Sequence, residues 1–178
     1  MAQLVERIDR SSNRPEDPRN REVVHAANDP QVGNLATPIN ASALTRSYIN
    51  RLSAYRPGIS IQRRGLEIGL AHGYWLVGPF ATFNPLRHTH LSNFIGLLSA
   101  LGMVLLATLA ILLYAASRPL PPIAPITTQP PPEFKTVSGW TRFATNFFIG
   151  GVAGAGIAYW IIATIPVYGN FLRLIGVQ

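Results

Sequence analysis

The sequence predicts an all-α integral membrane protein with three transmembrane helices, preceded by a polar arm that carries a short amphipathic helix. Only 13% of the 178 residues are charged, about half the share that is usual in a soluble domain. Ten of the 15 basic residues and six of the 8 acidic residues precede residue 65. The rest of the chain is dominated by three apolar runs. We therefore predict an arm over residues 1–60, a membrane domain over residues 65–167 and a tail over residues 168–178.

The arm begins with a stretch rich in Arg, Asp, Asn and Pro, over residues 1–40. This composition is typical of an extended or partly disordered segment that orders on a partner. Asn40 then precedes ASALTRSYINRL and is predicted to cap a short helix. The helical spacing places its apolar residues on one face, which we expect to pack on the protein itself rather than on lipid: Leu44, Tyr48, Ile49 and Leu52.

The composition also excludes several classes of function. The chain has no cysteine, which excludes disulfides, thiol catalysis and cysteine-ligated metals. Its arginines are scattered among acids and prolines, unlike the basic patch of a nucleic-acid-binding protein. The sequence contains no converging cluster of catalytic groups, so we predict that the protein is not an enzyme.

Each apolar run approaches or exceeds the roughly 20 residues that a membrane-spanning helix needs. Residues 94–116 contain no charge, and residues 143–167 contain few polar side chains. Residues 65–83 are less apolar and include Pro79, which is expected to kink or end the helix. The proline-rich connection over residues 117–137 is predicted to be stiff and free of helix, either as a spacer or as a contact surface.

Basic residues flank the three spans unevenly. Five arginines lie between residues 46 and 64, and three basic residues lie between residues 118 and 142, whereas Arg87 and Arg173 are alone in their segments. Because basic residues accumulate in cytoplasmic loops, the N-terminus and the proline-rich connection are predicted to be cytoplasmic. The C-terminus is then on the opposite side.

The first span carries two ionisable residues, Glu67 and His72, and such residues in a membrane are usually functional. Five residues apart, they point about 140° apart around a helix, so they cannot share one small metal ion. An imidazole suits a macrocycle-bound metal, and a carboxylate suits Mg²⁺. The structural alternatives are a hydrogen-bonded His72 and a Glu67 paired with Arg63 or Arg64. A different class of protein, a small transporter, would use the two residues to relay protons.

Glycines form two faces of small side chains. Gly65, Gly69 and Gly73 recur every four residues in the first span, a pattern that admits either a neighbouring helix or a flat ring against the backbone. Gly150 and Gly154 mark a similar face in the third span, which indicates helix packing.

Three segments, GNLATPINASALTRSYINRLSAYRPGIS, RRGLEIGLAHGYWLVGPF and NPLR, resemble the subunit XI (PsaL) family of photosystem I, of the cyanobacterial type. The resemblance implies a multi-pass thylakoid membrane protein without enzymatic activity, with a stromal N-terminus and a lumenal C-terminus. It implies binding of chlorophyll a and contact with carotenoid (β-carotene), with Glu67 and His72 of GLEIGLAHGY as axial ligands of chlorophyll magnesium. It implies as partners the large core subunits and small membrane subunits of photosystem I, neighbouring copies of this chain across monomers, and thylakoid lipids.

The chain departs from trimer-forming members of that family in one motif. Those members read PLRD after the first helix, where the acidic residue helps to bind calcium between monomers, whereas this chain has His88 in that place. We therefore do not carry the calcium site over and predict no metal apart from chlorophyll magnesium. His88 and His90 are expected to be polar loop residues rather than ligands. The proline-rich connection resembles that of members forming dimers and tetramers, which also argues against a trimer.

Overall fold

The computed structural model describes residues 25–26, 35–120, 128 and 130–165. Most of the predicted arm, residues 121–127 of the proline-rich connection and the predicted tail over 168–178 lie outside the described residues. The elements in chain order are β1 (His25–Ala26), β2 (Leu35–Ala36), α1 (Ala43–Ile49), α2 (Ile61–Phe83), α3 (Ser92–Ala116), a short 3₁₀ helix (Pro132–Lys135) and α4 (Val137–Thr164). The chain divides into two compact units, the polar arm up to Pro57 with part of the proline-rich connection, and the helical body from Gly58 onward.

The arm differs from the prediction in two respects. It contains a two-residue antiparallel pairing of β1 with β2, which the all-α prediction did not include. In addition, the N-cap of α1 is Ser42, whose Oγ accepts a hydrogen bond from the Thr45 amide at 3.1 Å. The predicted cap, Asn40, instead closes the preceding turn, accepting from the Thr37 amide at 2.7 Å and donating to the Leu35 carbonyl at 2.8 Å.

Helix α1 is shorter than predicted and buries no residue. It ends at Ile49, so Leu52 lies outside it. Leu44 and Tyr48 on its apolar face are 81% and 67% exposed. This face is therefore exposed among the described residues, and its packing on the protein itself stays a prediction.

Helices α2 and α4 both begin earlier than predicted, because serine and threonine caps lie upstream of the apolar runs. Ser60 Oγ accepts from the Arg63 amide at 3.2 Å, which starts α2 at Ile61. Thr136 Oγ1 accepts from the Gly139 amide at 3.0 Å, which starts α4 at Val137. The connection over residues 117–137 was predicted to be free of helix. This is wrong, because the 3₁₀ helix lies within it and α4 begins at its last residue.

Pro79 does not end α2, which continues for four residues to Phe83. A proline in a helix removes one backbone donor, here the one that would bond to the Trp75 carbonyl. In apolar surroundings such a loss is tolerated when the adjacent backbone adjusts. Of the two expectations, an end at Pro79 is wrong, whereas the predicted end of the first span at residue 83 agrees with the structure.

The three long helices all contact one another, with α2 packed most extensively against α4. Buried side chains form two apolar clusters: Ile61, Val104, Phe143 and Phe147 in the first, and Val77, Ala100, Ala155 and Ala158 in the second. By length and composition, α3 and α4 can each cross a membrane. Helix α2 is not among the described helices that meet this criterion, because Glu67, His72 and several glycines lower the mean hydropathy of its apolar part.

The connection between α2 and α3 is organised by one buried amide. Asn84 Nδ2 donates to the carbonyls of Phe80 and Ala81 at 2.8 and 2.7 Å, and its Oδ1 accepts from the Leu86 amide at 2.8 Å. Ser92, the first residue of α3, also donates to the Ala81 carbonyl at 2.7 Å. Because the last carbonyls of a helix lack intrahelical partners, these bonds satisfy the end of α2 and tie it to the start of α3.

Candidate functional site

His72 lies on an exposed part of α2, and its ring is oriented by two contacts. The Nδ1 atom lies 2.8 Å from the carbonyl oxygen of Ile68, one turn earlier in the same helix. The ring also packs edge-to-face on Phe147 of α4, with the ring centroids 5.5 Å apart. The predicted alternative of a hydrogen-bonded His72 is therefore correct for one ring nitrogen.

The bond to Ile68 assigns the tautomer of a neutral His72. A carbonyl oxygen can only accept, so Nδ1 must carry the hydrogen. The lone pair of the neutral imidazole is then on Nε2. Among the residues that the structure describes, no second hydrogen bond to this ring is formed. His72 thus offers an oriented nitrogen lone pair at the surface of the helical body.

Glu67 forms the predicted ion pair with Arg63. Its Oε1 accepts from Arg63 Nε at 2.7 Å, and the Glu67 side chain is 28% exposed while that of Arg63 is 65% exposed. The two residues are four apart in α2, which is the favourable spacing for a pair on one helix face. A carboxylate has about four lone-pair positions, so the bond from Arg63 uses only part of its capacity.

The structure does not bring Glu67 and His72 together. Both lie within the continuous helix α2, where a separation of five residues corresponds to about 140° around the axis. The described residues contain no group of three or more His, Asp or Glu side chains that could hold a metal ion. His88 and His90 are both exposed in the connection between α2 and α3. Glu67 and His72 are thus two separate candidate sites.

Gly65, Gly69 and Gly73 form the glycine stripe of α2, which packs against a neighbouring helix. A Cβ atom placed on Gly65, Gly69 or Gly73 would overlap the backbone carbonyl of Phe143, Phe147 or Gly151, respectively. On the facing helix, Gly150 and Gly154 lie in the same way against the carbonyls of Leu66 and Leu70. Of the two predicted uses, the close approach of a neighbouring helix is confirmed. The alternative of a flat ring against this stripe is wrong, because α4 occupies that space.

Two features of the site were absent from the sequence prediction. The Ile68 carbonyl and the Phe147 ring both orient His72. The sequence indicated the contact with Ile68 only weakly. In a helix, the carbonyl of the residue four positions earlier always points toward the later residue. The sequence did not indicate the contact with Phe147, because that contact depends on which helix packs beside α2.

The sequence of the chain is similar to the sequences of known proteins. The family model of photosystem I reaction centre subunit XI matches residues 22–167. The chain belongs to this family. Subunit XI of Mastigocladus laminosus is 52% identical over 164 residues, which cover 91% of this chain and 95% of the relative. Subunit XI of Nostoc punctiforme is 49% identical over 167 residues, covering 92% and 96%. Subunit XI of the red alga Cyanidioschyzon merolae is 47% identical over 135 residues, covering 76% and 91%.

The resemblance to subunit XI that the sequence segments indicated is therefore confirmed. The matched region of subunit XI takes in helices α1 to α3 and all of α4, together with Glu67 and His72. Subunit XI is a structural subunit of photosystem I and not an enzyme, which confirms the prediction on enzymatic activity. The two ionisable residues of α2 consequently have no catalytic reaction to serve.

Proposed function

We propose that this protein is a chlorophyll- and carotenoid-binding structural subunit of photosystem I in the thylakoid membrane. It supports the transfer of antenna excitation and the oligomerisation of the reaction centre. Membership of the subunit XI family supports its place in the complex, and the two helices able to cross a membrane support its location. Helix α2, packed against both of them, is the third crossing.

The observation that carries the pigment assignment is the tautomer of His72. A chlorophyll bound here would need one further ligand for its magnesium from the protein. The bond from Nδ1 to the Ile68 carbonyl leaves the lone pair on Nε2, as a metal-ligating imidazole requires. The Nε2 atom of His72 is thus the proposed axial ligand of one chlorophyll a.

Glu67 is the proposed axial ligand of a second chlorophyll a. Carboxylate oxygen is a hard ligand that suits Mg²⁺. The bond from Arg63 Nε to Oε1 orients the carboxylate on the helix surface. Since Glu67 and His72 point about 140° apart, rings held by the two residues would lie on different sides of α2 and would not compete.

The remaining parts of the proposal concern apolar contacts and topology. Helix α3 exposes large side chains along its length, including Leu106 and Leu113 at 62% and 73%. Such a surface suits β-carotene, lipid tails, the other subunits of photosystem I and neighbouring copies of this chain.

The uneven distribution of basic residues supports a stromal N-terminus and a lumenal C-terminus. The protein contributes the distance and orientation of the rings, while the photophysics belongs to the pigments.

The test is a tagged His72→Leu variant recovered with its complex from gently solubilised native membranes. We expect a pigmented particle of wild-type size that lacks, or holds less firmly, one chlorophyll per copy of the subunit. His88→Leu is the matched control, because His88 is an exposed histidine of the same unit, and it should leave the pigment content unchanged. Unchanged chlorophyll content and unchanged density beside residue 72 in His72→Leu would contradict the assignment.

A further inference from the structure

A small cavity lies in the helical body where α3 ends and α4 begins. Its volume is about 190 Å³, roughly six times the ~30 Å³ that one water molecule takes up in the liquid. The lining includes two cationic side chains, Arg118 and Lys135, and two aromatic side chains, Phe134 and Trp140. The space is therefore large enough for a group the size of a phosphate, and it has one basic side and one aromatic side.

The basic side has no ion-paired carboxylate among the residues that the structure describes. Neither Arg118 nor Lys135 forms a side-chain hydrogen bond or ion pair there, and no carboxylate lines the cavity. Two cations around one cavity repel each other, and an anion placed between them converts that repulsion into attraction. The guanidinium group of arginine also matches the geometry of phosphate oxygens. The chemistry of this side thus selects a phosphate group.

The aromatic side is a packed and oriented wall. Trp140 Nε1 donates to the Phe134 carbonyl at 2.9 Å, and the two rings are stacked with centroids 4.1 Å apart. Tyr114 of α3 packs edge-to-face on Trp140 at 5.1 Å. The wall is held from both helices, so the cavity keeps an apolar boundary beside its charged one. This combination suits an amphiphile with an anionic head.

The position of the cavity indicates which amphiphile it accepts. It lies at the ends of α3 and α4, the two described helices that can cross a membrane. Tryptophan and tyrosine are enriched at membrane interfaces, and basic pockets at the ends of transmembrane helices bind anionic lipid headgroups. We propose that this cavity binds the phosphate headgroup of a membrane phospholipid, with Arg118 and Lys135 holding the phosphate. The proposal rests on the proposed function only for the membrane placement of α3 and α4.

The experiment measures ligand retention by the complete photosystem I particle that carries the tagged chain. Detergent-washed particles are incubated with radiolabelled phosphatidylglycerol in mixed micelles or, in a separate arm, with radiolabelled inorganic phosphate. The variant R118Q/K135Q removes both charges from the cavity. R118K/K135R keeps the charges, and R142Q removes an exposed charge of α4 that lies outside the cavity.

We expect the wild type to retain one more phosphatidylglycerol per copy of the subunit than R118Q/K135Q does. The affinity of that site should fall at least about tenfold, the effect of losing a charge-assisted hydrogen bond. R118K/K135R and R142Q should behave as the wild type. Equal lipid retention in R118Q/K135Q and the wild type overturns the proposal, and so does a site that retains inorganic phosphate but no lipid.

The chlorophyll content of the same particles separates this proposal from the proposed function. A colourless particle recovered through the wild-type tag contradicts the assignment to photosystem I. A pigmented particle whose lipid retention is insensitive to R118Q/K135Q contradicts only the lipid site.

Discussion

Replacing Gly73 by alanine tests how closely α2 and α4 must approach. The added Cβ would overlap the carbonyl oxygen of Gly151 and lie 2.7 Å from its carbonyl carbon and 2.9 Å from the Ala155 amide nitrogen. Ordinary contacts between such atoms are about 3.5–4.0 Å. The obstructing atoms are backbone atoms of a continuous helix, so no side-chain rotation can make room. The two helices must therefore separate locally by about 1 Å.

The size of the effect follows from two opposing terms. Overpacking a close interface costs about 1–3 kcal/mol, and we expect the upper part of that range because the overlap involves only backbone. Alanine is the better helix former by about 1 kcal/mol, which offsets part of the cost. The free energy of unfolding should therefore fall by about 2 kcal/mol in Gly73→Ala. The matched control is Gly156→Ala in the facing helix α4, where nothing lies within 4 Å of the added Cβ.

The assay is unfolding of the full chain in mild detergent by titration with dodecyl sulfate, followed by tryptophan fluorescence. Gly73→Ala should unfold at a lower dodecyl sulfate fraction than the wild type, and Gly156→Ala at the same or a higher one. Equal midpoints for the two variants would refute the reasoning, because the chemical change is the same and only the space differs.

Three further predictions concern the turn, the ion pair and the proline-rich connection. Asn84→Ala should lower the free energy of unfolding by about 2 kcal/mol, since it leaves buried backbone groups unsatisfied; in the same titration the exposed Thr89→Ala should change it far less. Arg63→Gln should lower it by no more than about 1 kcal/mol, because the Arg63 side chain of this pair is 65% exposed and screened by solvent; a loss above about 2 kcal/mol would contradict this. Shortening the connection within residues 118–134 should change the distribution of oligomers in sized native particles more than their chlorophyll content, and unchanged oligomers would leave the connection as a spacer.

The existence of the long helices was predictable from the sequence, whereas the starts of α2 and α4 were not. The uncharged run of α3 agrees with the structure to within two residues at its start, because apolar length is what a membrane crossing demands. The first turns of α2 and α4 contain Arg63 and Arg142. Both residues lie just outside the apolar runs from which the spans are predicted. Hydropathy marks the apolar part of a helix, but the caps at Ser60 and Thr136 set where the helix begins.

The separation of Glu67 and His72 was predictable from the sequence, whereas the surroundings of the two residues were not. The spacing of Glu67 and His72 within one helix fixes their angular relation. The partner of the glycine stripe follows from tertiary packing, and no pattern in α2 distinguishes α4 from a flat ring. The buried position of Asn84 and the face of Phe147 against His72 likewise depend on how three helices meet, which the periodicity of each helix alone does not contain.

The hydrogen bond between His72 and Ile68 has a consequence for the order of events during biosynthesis. Donor and acceptor belong to the same helix and are one turn apart, so the bond requires only that α2 is helical. The imidazole is consequently in its metal-accepting tautomer before α3 and α4 have been synthesised. Attachment of the pigment that we propose at His72 therefore need not wait for the bundle to close.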